Sequence, residues 1–395
     1  MRFSSRVDTG NPNPIIVEQR RALAAGEALT SLNDSNPTRH GLAPEGLSSV
    51  YRAQPRGPIE ARRALARFLT DQDERTRSYR LPAVDPEHLY LLSSTSQAYS
   101  WLMKLFCDAG DAVLAPTPGY PLIASIARLE NVHALPYQLR FDGSWVIDLA
   151  GIAAVLDGPQ GDRVRALIVI NPNNPTGSYV RPQERAALLD LCTRHGIALI
   201  ADEVFFDYAL EPFPGNDRLA GEPAVLTCGL DGFSKMLAAP HAKVGWIRLS
   251  GPDVEVREAT RRLDVIADDY LPMSDIIARR IPALLDSAEA QTALVQARVR
   301  GNLTALHRML EEDGGSPISV LRAEGGWNVL LRVPAVLDED ELVLSMIREH
   351  GLTGQPGYFF DMPSNGYLAV SLLPEPEEFE RHIRQVIETV SRMLG

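Results

Sequence analysis

Continuous apolar runs alternate with stretches of helical periodicity through the middle of the chain. The runs predict strands at His88–Leu92, Ala112–Ala115, Ala166–Ile170, Ile197–Ala201, Val225–Gly229 and Val244–Leu249. Helical spacing of apolar positions is clear at Gln97–Cys107, Pro182–Arg194, Asp253–Asp264 and Leu303–Glu312. Because the strand runs are continuously apolar, they are typical of a sheet covered on both faces. The pattern therefore predicts an α/β fold, a mostly parallel sheet wrapped by helices.

The last third of the chain has a different pattern. A long helical region, about residues 286–312, precedes predicted strands near Trp327–Val333 and Gly366–Leu373 and a final helix at about residues 375–393. This order predicts a smaller α+β domain, which we expect the N-terminal segment to complete by folding back against it. The expected division is residues 1–45 for the N-terminal segment, 46–270 for the large domain and 271–395 for the small domain.

Composition narrows the class of protein. The 395 residues carry a net charge of −12, and no basic run of the nucleic-acid-binding kind is present. No apolar run approaches the ~20 residues of a membrane helix, and the polar start predicts no signal peptide. Cys107, Cys192 and Cys228 lie in apolar segments at unrelated spacings. They favour a reducing cytoplasm over a disulfide framework or a metal site.

Polar side chains follow several of the predicted strands. Asp202 ends one apolar run, and Asn174 lies in the turn 171–177 after another. Ser94 begins a short polar turn before a helix, where free N–H groups favour an anion. Lys235 follows Ser234 after a further strand. Because ligands bind at the carboxyl ends of strands in open α/β sheets, these residues indicate one site.

Together these motifs resemble fold-type I pyridoxal-phosphate enzymes of the class I/II aminotransferase family, over most of the chain. The resemblance implies that Lys235 forms the Schiff base with the cofactor and then moves protons as general base and acid. It implies that Asp202 pairs with the pyridinium nitrogen and that Asn174 bonds the 3′ oxygen. The expected reaction moves an amino group between an amino acid and a 2-oxo acid.

The resemblance assigns the other site residues as well. Ser94, Thr95, Ser96, Ser234 and Lys243 would bind the phosphate, while Tyr120 and Val204 would pack on the two ring faces and Phe205 would lie beside the ring. Tyr51 resembles the tyrosine that the neighbouring subunit lends, which implies a homodimer. Asn174, Tyr120 and Arg39 are the expected substrate-binding residues.

Three positions depart from the family pattern. Lys243 stands in place of an arginine, and Phe205 in place of a tyrosine that bonds the 3′ oxygen. Ala369 stands where relatives have the arginine that grips the substrate carboxylate. Either another cation replaces that arginine, with Arg39 preferred over Arg6, or the substrate binds differently.

Several alternatives remain open. The same cofactor site would serve a lyase, cyclase or oxidase acting on an amino acid, because fold and cofactor do not fix the reaction. A non-catalytic, cofactor-sensing protein is a further alternative. Individual residues also have purely structural interpretations: a solvated Lys235, helix caps at Asp202 and Ser94, a plain turn at 171–177, a core Tyr120 and solvated arginines at 6 and 39.

Overall fold

Two sheets organise the molecule. The computed structural model describes residues 1–10, 13–32, 34–212 and 214–395. The strands are β1 Leu89–Leu92, β2 Ala112–Thr117, β3 His133–Phe141, β4 Trp145–Ile147, β5 Val164–Ile170, β6 Ala198–Asp202, β7 Thr227–Gly232, β8 Gly245–Ser250, β9 Ser319–Val320, β10 Asn328–Arg332, β11 Gln355–Pro356 and β12 Tyr367–Ser371.

The helices cover the large sheet and one side of the small sheet. They are α1 Pro14–Ala24, α2 Ile59–Thr76, α3 Thr95–Phe106, α4 Leu122–Leu129, α5 Leu149–Leu156, α6 Pro182–His195, α7 Phe233–Met236, α8 Asp253–Tyr270, α9 Asp275–Ala278, α10 Ile281–Asp286, α11 Ala288–Glu312, α12 Glu339–His350 and α13 Pro376–Leu394. None of these helices of the described residues is long and apolar enough to cross a bilayer.

The large sheet has eight strands in the order β1-β8-β7-β6-β5-β2-β3-β4. Strands β7, β6, β5, β2 and β3 run parallel to one another. Strand β8 is antiparallel to β1 and β7, and β4 is antiparallel to β3. β5 and β6 are buried at every position, as their continuous apolar runs predict. The mostly parallel sheet wrapped by helices is confirmed. The side chains that follow β1, β2, β5, β6 and β7 therefore meet at one edge.

The small sheet is antiparallel, in the order β11-β12-β10-β9. Strand β10 pairs with β12 so that Leu330 faces Ala369 and Asn328 faces Ser371. Helices α11 and α13 pack with this sheet around Val329, Leu331 and Phe379 in an apolar cluster separate from those of the large sheet. The predicted α+β character of the C-terminal third is therefore present.

Helix bounds follow local chemistry. Helix α6 begins with Pro182, whose missing N–H costs nothing in the first turn. Glu184 accepts the Arg181 backbone N–H at 2.8 Å, which closes the helix start. The helix ends at His195, and Gly196 follows with a φ of +61°, which suits a residue without a Cβ. Helix α2 was not predicted, and its many charged positions obscure its apolar stripe.

The N-terminal residues pack differently from our expectation. Phe3 stacks on Phe106 of α3 with ring centroids 5.8 Å apart, and Arg262 of α8 donates to the Ser4 carbonyl at 2.7 Å. Arg6 donates to the Met103 carbonyl at 3.0 Å. Residues 1–10 therefore contact the helices of the large sheet rather than the small domain. The apolar surface of α3 and α8, and not the small domain as expected, packs against these N-terminal residues.

The expected boundary at 270/271 also needs adjustment. Ala278, Ile281 and Leu285 share an apolar cluster with residues of α2 and with Trp246 of β8. The stretch from α9 to α10 is therefore packed against the large domain. Val295 of α11 is the first residue after position 271 in the apolar cluster of the small domain, which also includes Phe205, Tyr208 and Leu210 of the large domain.

Candidate active site

A cavity of about 390 Å³ lies between the carboxyl edge of the large sheet and the small domain. It is lined by Ser93, Ser94, Thr95, Ser96, Tyr120, Ile170, Asn174, Asp202, Val204, Phe205, Gly232, Ser234, Lys235, Pro240, Lys243, Val244, Trp327, Asn328 and Leu373. The structure thus brings together every site residue expected from sequence except Tyr51 and Arg39.

Asp202 is the last residue of β6 and is 5 % exposed. Burial raises its pKa to about 6, although hydrogen bonds from Tyr99 and from the Val204 N–H oppose the shift. The Tyr99 hydroxyl donates to Oδ2 at 2.7 Å, and the Val204 N–H donates to Oδ1 at 3.3 Å. A buried carboxylate with two donors retains lone pairs for a further donor from the cavity. The residue does not cap a regular helix.

Lys235 lies in the single turn of α7, directly after β7. Burial lowers the pKa of its amine, and the charge of Asp202 opposes that shift. The amine lies 5.5 Å from the Phe205 ring centroid and 5.3 Å from that of Trp327. The Lys235 main-chain carbonyl accepts the Tyr208 hydroxyl at 2.7 Å. Lys235 is half-buried, so the solvated-surface interpretation does not hold.

The start of α3 combines a helix cap with a cavity wall. The Ser94 hydroxyl accepts the Gln97 N–H at 3.2 Å, so Ser94 caps this helix. Ser94, Thr95 and Ser96 also line the cavity. Because the first N–H groups of a helix have no partner within it, this end of the cavity favours an anion. Lys243 lines the same cavity and supplies a positive charge.

The remaining large-domain residues surround the middle of the cavity. Tyr120 is 39 % exposed, which excludes the core-tyrosine interpretation. Asn174 accepts a hydrogen bond from the Asn328 side chain at 3.3 Å. Phe205 makes an edge contact with Trp327, with centroids 5.4 Å apart. Val204 also lines the cavity.

Arg39 and Tyr51 lie outside the cavity of their own chain. The Arg39 guanidinium is 3.3 Å from Asp34. Tyr51 is 47 % exposed, and its N–H donates to Thr38 at 2.7 Å. Arg6 is excluded as a substrate-binding residue, because it is bound to helix carbonyls and lies 3.6 Å from Glu130.

Sequence reasoning missed the small-domain wall and the tyrosine behind the site. Trp327 directly before β10, Asn328 at the start of β10 and Leu373 after β12 line the cavity. The sequence signal was weak, since only the departure at Ala369 drew attention to this region. Tyr99 lies inside α3 and is 1 % exposed. From sequence alone it resembles an ordinary apolar-face residue of a helix.

A buried ion network lies behind the cavity. Arg218, 4 % exposed, contacts Asp231 at 3.1 Å and Asp207 at 2.9 Å. Glu203 lies 3.9 Å from the same guanidinium. Burial lowers the pKa of Arg218, but the three carboxylates raise it by more, so the pKa lies above the ordinary value of an arginine. Asn171 donates to Glu203 at 3.0 Å, so the network joins the ends of β5, β6 and β7.

Comparison with known proteins agrees with this geometry. The family model for aminotransferase class I and II matches residues 50–385. The chain therefore belongs to the class I and II aminotransferase family, and it is an enzyme of the transferase class.

Individual relatives are distant in sequence but similar along their whole length. The glutamate-pyruvate aminotransferase AlaA of Escherichia coli K12 is 23% identical over 93% of this chain and 91% of its own. The alanine aminotransferase of Mycobacterium tuberculosis H37Rv is 25% identical over 96% of this chain and 89% of its own. The solved alanine aminotransferase of Pyrococcus furiosus matches with a TM-score of 0.76 and 20% identity, over 99% of this chain and 100% of its own. That structure has the same fold.

Removing the guanidinium of the buried network should destabilise the protein. In Arg218→Met the carboxylates of Glu203, Asp207 and Asp231 lose their counter-ion, so the free energy of unfolding should fall by ~3–5 kcal/mol. Urea denaturation followed by tryptophan fluorescence measures this. The matched control is Arg381→Met, which removes an exposed ion pair at 3.9 Å and should change stability by less than ~1 kcal/mol. Equal losses in the two variants would contradict the role of the network.

Proposed function

We propose that this protein is a pyridoxal-phosphate-dependent aminotransferase that moves an amino group between an amino acid and a 2-oxo acid. One observation carries the proposal. A single cavity contains a half-buried lysine, Lys235, a buried carboxylate, Asp202, and the anion-favouring start of α3. Family membership supports the same reaction.

The residues present fit pyridoxal phosphate. Ser94, Thr95, Ser96, Ser234 and Lys243 would hold the phosphate, since they provide N–H groups, hydroxyls and a positive charge. Asp202 would accept a hydrogen bond from the protonated ring nitrogen, and this positive partner would compensate its buried charge. Lys235 would attach the cofactor. Tyr120 and Val204 would lie against the ring, and Asn174 would donate to the ring's oxygen.

When bound, pyridoxal phosphate supplies an aldehyde that condenses with amines and a ring that takes up electrons from a breaking bond at the α-carbon. The protein's own contribution is proton transfer and positioning. Burial lowers the pKa of Lys235, so a larger fraction of its amine is neutral and able to take a proton from the α-carbon. Asp202 would accept a hydrogen bond from the protonated ring nitrogen and so keep the proton there, which would favour electron uptake.

Ala369 leaves a second candidate reaction open. Its strand β12 is paired with β10, and the arginine expected there is replaced by a methyl group. Among the described residues that line the cavity, the cations are lysines. A lyase, cyclase or oxidase on the same cofactor is therefore the second candidate. Incubation with a panel of amino acids distinguishes them, because transfer yields the pyridoxamine spectrum whereas elimination releases ammonia.

The segment that carries Tyr51 supports a homodimer. The Asn36 side chain donates to the Tyr51 carbonyl at 2.9 Å, and Tyr51 donates to Thr38. Arg39 directly follows Thr38 in this segment, so a surface that receives Tyr51 would also lie near Arg39. We propose that the segment reaches the cavity of a second subunit. We also propose that the protein is cytoplasmic, which its three buried free cysteines favour.

The attachment residue can be tested sharply because the chain contains only three lysines, Lys104, Lys235 and Lys243. Borohydride reduction of the yellow protein should add the cofactor mass to the peptide that contains Lys235. Lys235→Ala should lose the adduct. The control Lys243→Ala should retain it on Lys235, although the cofactor should bind more weakly. An adduct on Lys104, or none at all, would overturn the assignment.

Subunit mixing tests the dimer. Tyr51→Phe and Lys235→Ala subunits are each expected to be impaired, and hybrids should contain one site with both native residues. An equal random mixture should then recover about one complete site in four. Activity after co-refolding measures the recovery. A fully active monomer by light scattering would refute the shared site.

The role of Arg39 follows from the same arrangement. A guanidinium binds a carboxylate through two parallel bonds, so Arg39→Ala should raise KM for amino acids about tenfold or more, given ~1.5–3 kcal/mol for a charged hydrogen bond. Cofactor affinity should not change. Arg52→Ala, on the exposed part of the same segment, is the matched control. An amine substrate without a carboxylate should be insensitive, and an unchanged KM for amino acids would remove Arg39 from the site.

A further inference from the structure

A buried tyrosine outside the cavity lining contacts the carboxylate at the centre of the site. Tyr99 is 1 % exposed and Asp202 is 5 % exposed. Their hydroxyl-to-carboxylate distance is 2.7 Å. Tyr99 lies within α3, the helix whose first residues line the same cavity as Asp202. One rigid helix therefore reaches both the carboxylate and the anion-favouring end.

We propose that Tyr99 is a positioning residue that acts through Asp202. Its hydroxyl orients the Asp202 carboxylate and keeps that carboxylate ionised, so that Asp202 can accept a hydrogen bond from the ring nitrogen of the cofactor. The inference rests on the proposed function. Each carboxylate oxygen has one donor from the protein, Tyr99 at Oδ2 and the Val204 N–H at Oδ1. An oxygen with two lone pairs can accept one more donor. The protein's donors thus fix the plane of the carboxylate and leave a lone pair for the ring.

The charge of Asp202 depends on this hydrogen bond. Burial and, to a smaller extent, Glu203 raise the pKa of Asp202, whereas Tyr99, the Val204 N–H and Lys235 lower it, and the net result is a pKa of about 6. Tyr120, on the segment after β2, also interacts with Asp202. Burial raises the pKa of the Tyr120 hydroxyl, and the charge of Asp202 raises it further. A donor favours the charged form of a carboxyl group. Loss of the Tyr99 hydroxyl therefore raises the pKa of Asp202 above 6, and the carboxyl group takes up a proton at a higher pH.

A protonated Asp202 is itself a donor and repels the N–H of the ring. Cofactor affinity in the apo-protein should therefore fall on the acid side of the Asp202 titration. The acid limb should lie at higher pH in a variant without the hydroxyl. The cofactor's own phosphate titrates in the same range, but it does so equally with every variant, so differences between proteins report on Asp202.

The experiment is a pH series of cofactor dissociation constants, measured by quenching of tryptophan fluorescence in apo-protein. In Tyr99→Phe the acid limb should shift upward by about one pH unit, the size of one hydrogen bond to a charged group. The matched control is Tyr90→Phe. Tyr90 is also fully buried and donates to a carboxylate, Asp264, at 2.9 Å, but Asp264, unlike Asp202, does not line this cavity. Its limb should stay at the wild-type pH.

Two further variants separate positioning from folding. In an Asp202→Asn background, Tyr99→Phe should cause no shift, because the titrating group is absent. Site-specific replacement of Tyr99 by 3-fluorotyrosine keeps the size and strengthens the donor, so the limb should move to lower pH. This variant decides the case if Tyr99→Phe fails to fold.

The possible results distinguish an error in the role of Tyr99 from an error in the proposed function. Normal cofactor binding with an unmoved acid limb in both Tyr99 variants overturns the role of Tyr99 and leaves the proposed function intact. A fall in melting temperature without a shift also assigns Tyr99 a purely structural role. Failure of the wild-type protein to bind the cofactor at any pH overturns the proposed function and this inference together.

Discussion

Burial of a negative charge at the end of the central strand β6 constrains the surrounding structure. An ionised carboxylate removed from water costs several kcal/mol unless donors compensate it. Asp202 receives donors from α3 and from the chain that follows β6, while Lys235 on α7 contributes a favourable charge. Because these groups lie on different elements, the buried charge is stable only when β6, α3 and α7 keep their relative positions. The packing of the large domain therefore fixes the geometry of the site, and a change in one would change the other.

The next residue shows how the fold separates two adjacent acids. Successive side chains of an extended chain point to opposite faces, so Asp202 and Glu203 enter different surroundings. Asp202 lines the cavity, whereas Glu203 accepts backbone N–H groups of Leu219 and Ala220 and lies near Arg218. Two consecutive negative charges are thus neutralised by independent sets of partners. One carboxylate remains available for chemistry while the other fixes the loop between β6 and β7.

Much of the large domain could be predicted because buried parallel strands appear in the sequence as continuous apolar runs. The residues after these runs fell at one edge of the sheet, as topology requires. The small-domain wall could not be predicted in the same way, because Trp327 and Asn328 reach the cavity through long-range packing. Tyr99 occupies a helix position that sequence alone assigns to a core. Arg6 and the first ten residues were misplaced because a short polar segment contains no signal for the helix that it meets.

The scarcity of lysine gives this protein an unusual chemical surface. Of 39 basic residues, three are lysines, and two of these line the cavity. Lys104 has its amine engaged by Glu130 and by Ser100 at 2.8 Å. Reagents that modify amines therefore encounter few competing side chains outside the cavity. An amine-directed fluorophore or cross-linker would have two of its three lysine targets in the cavity, Lys235 and Lys243, so its reaction with these side chains would report on access to the cavity.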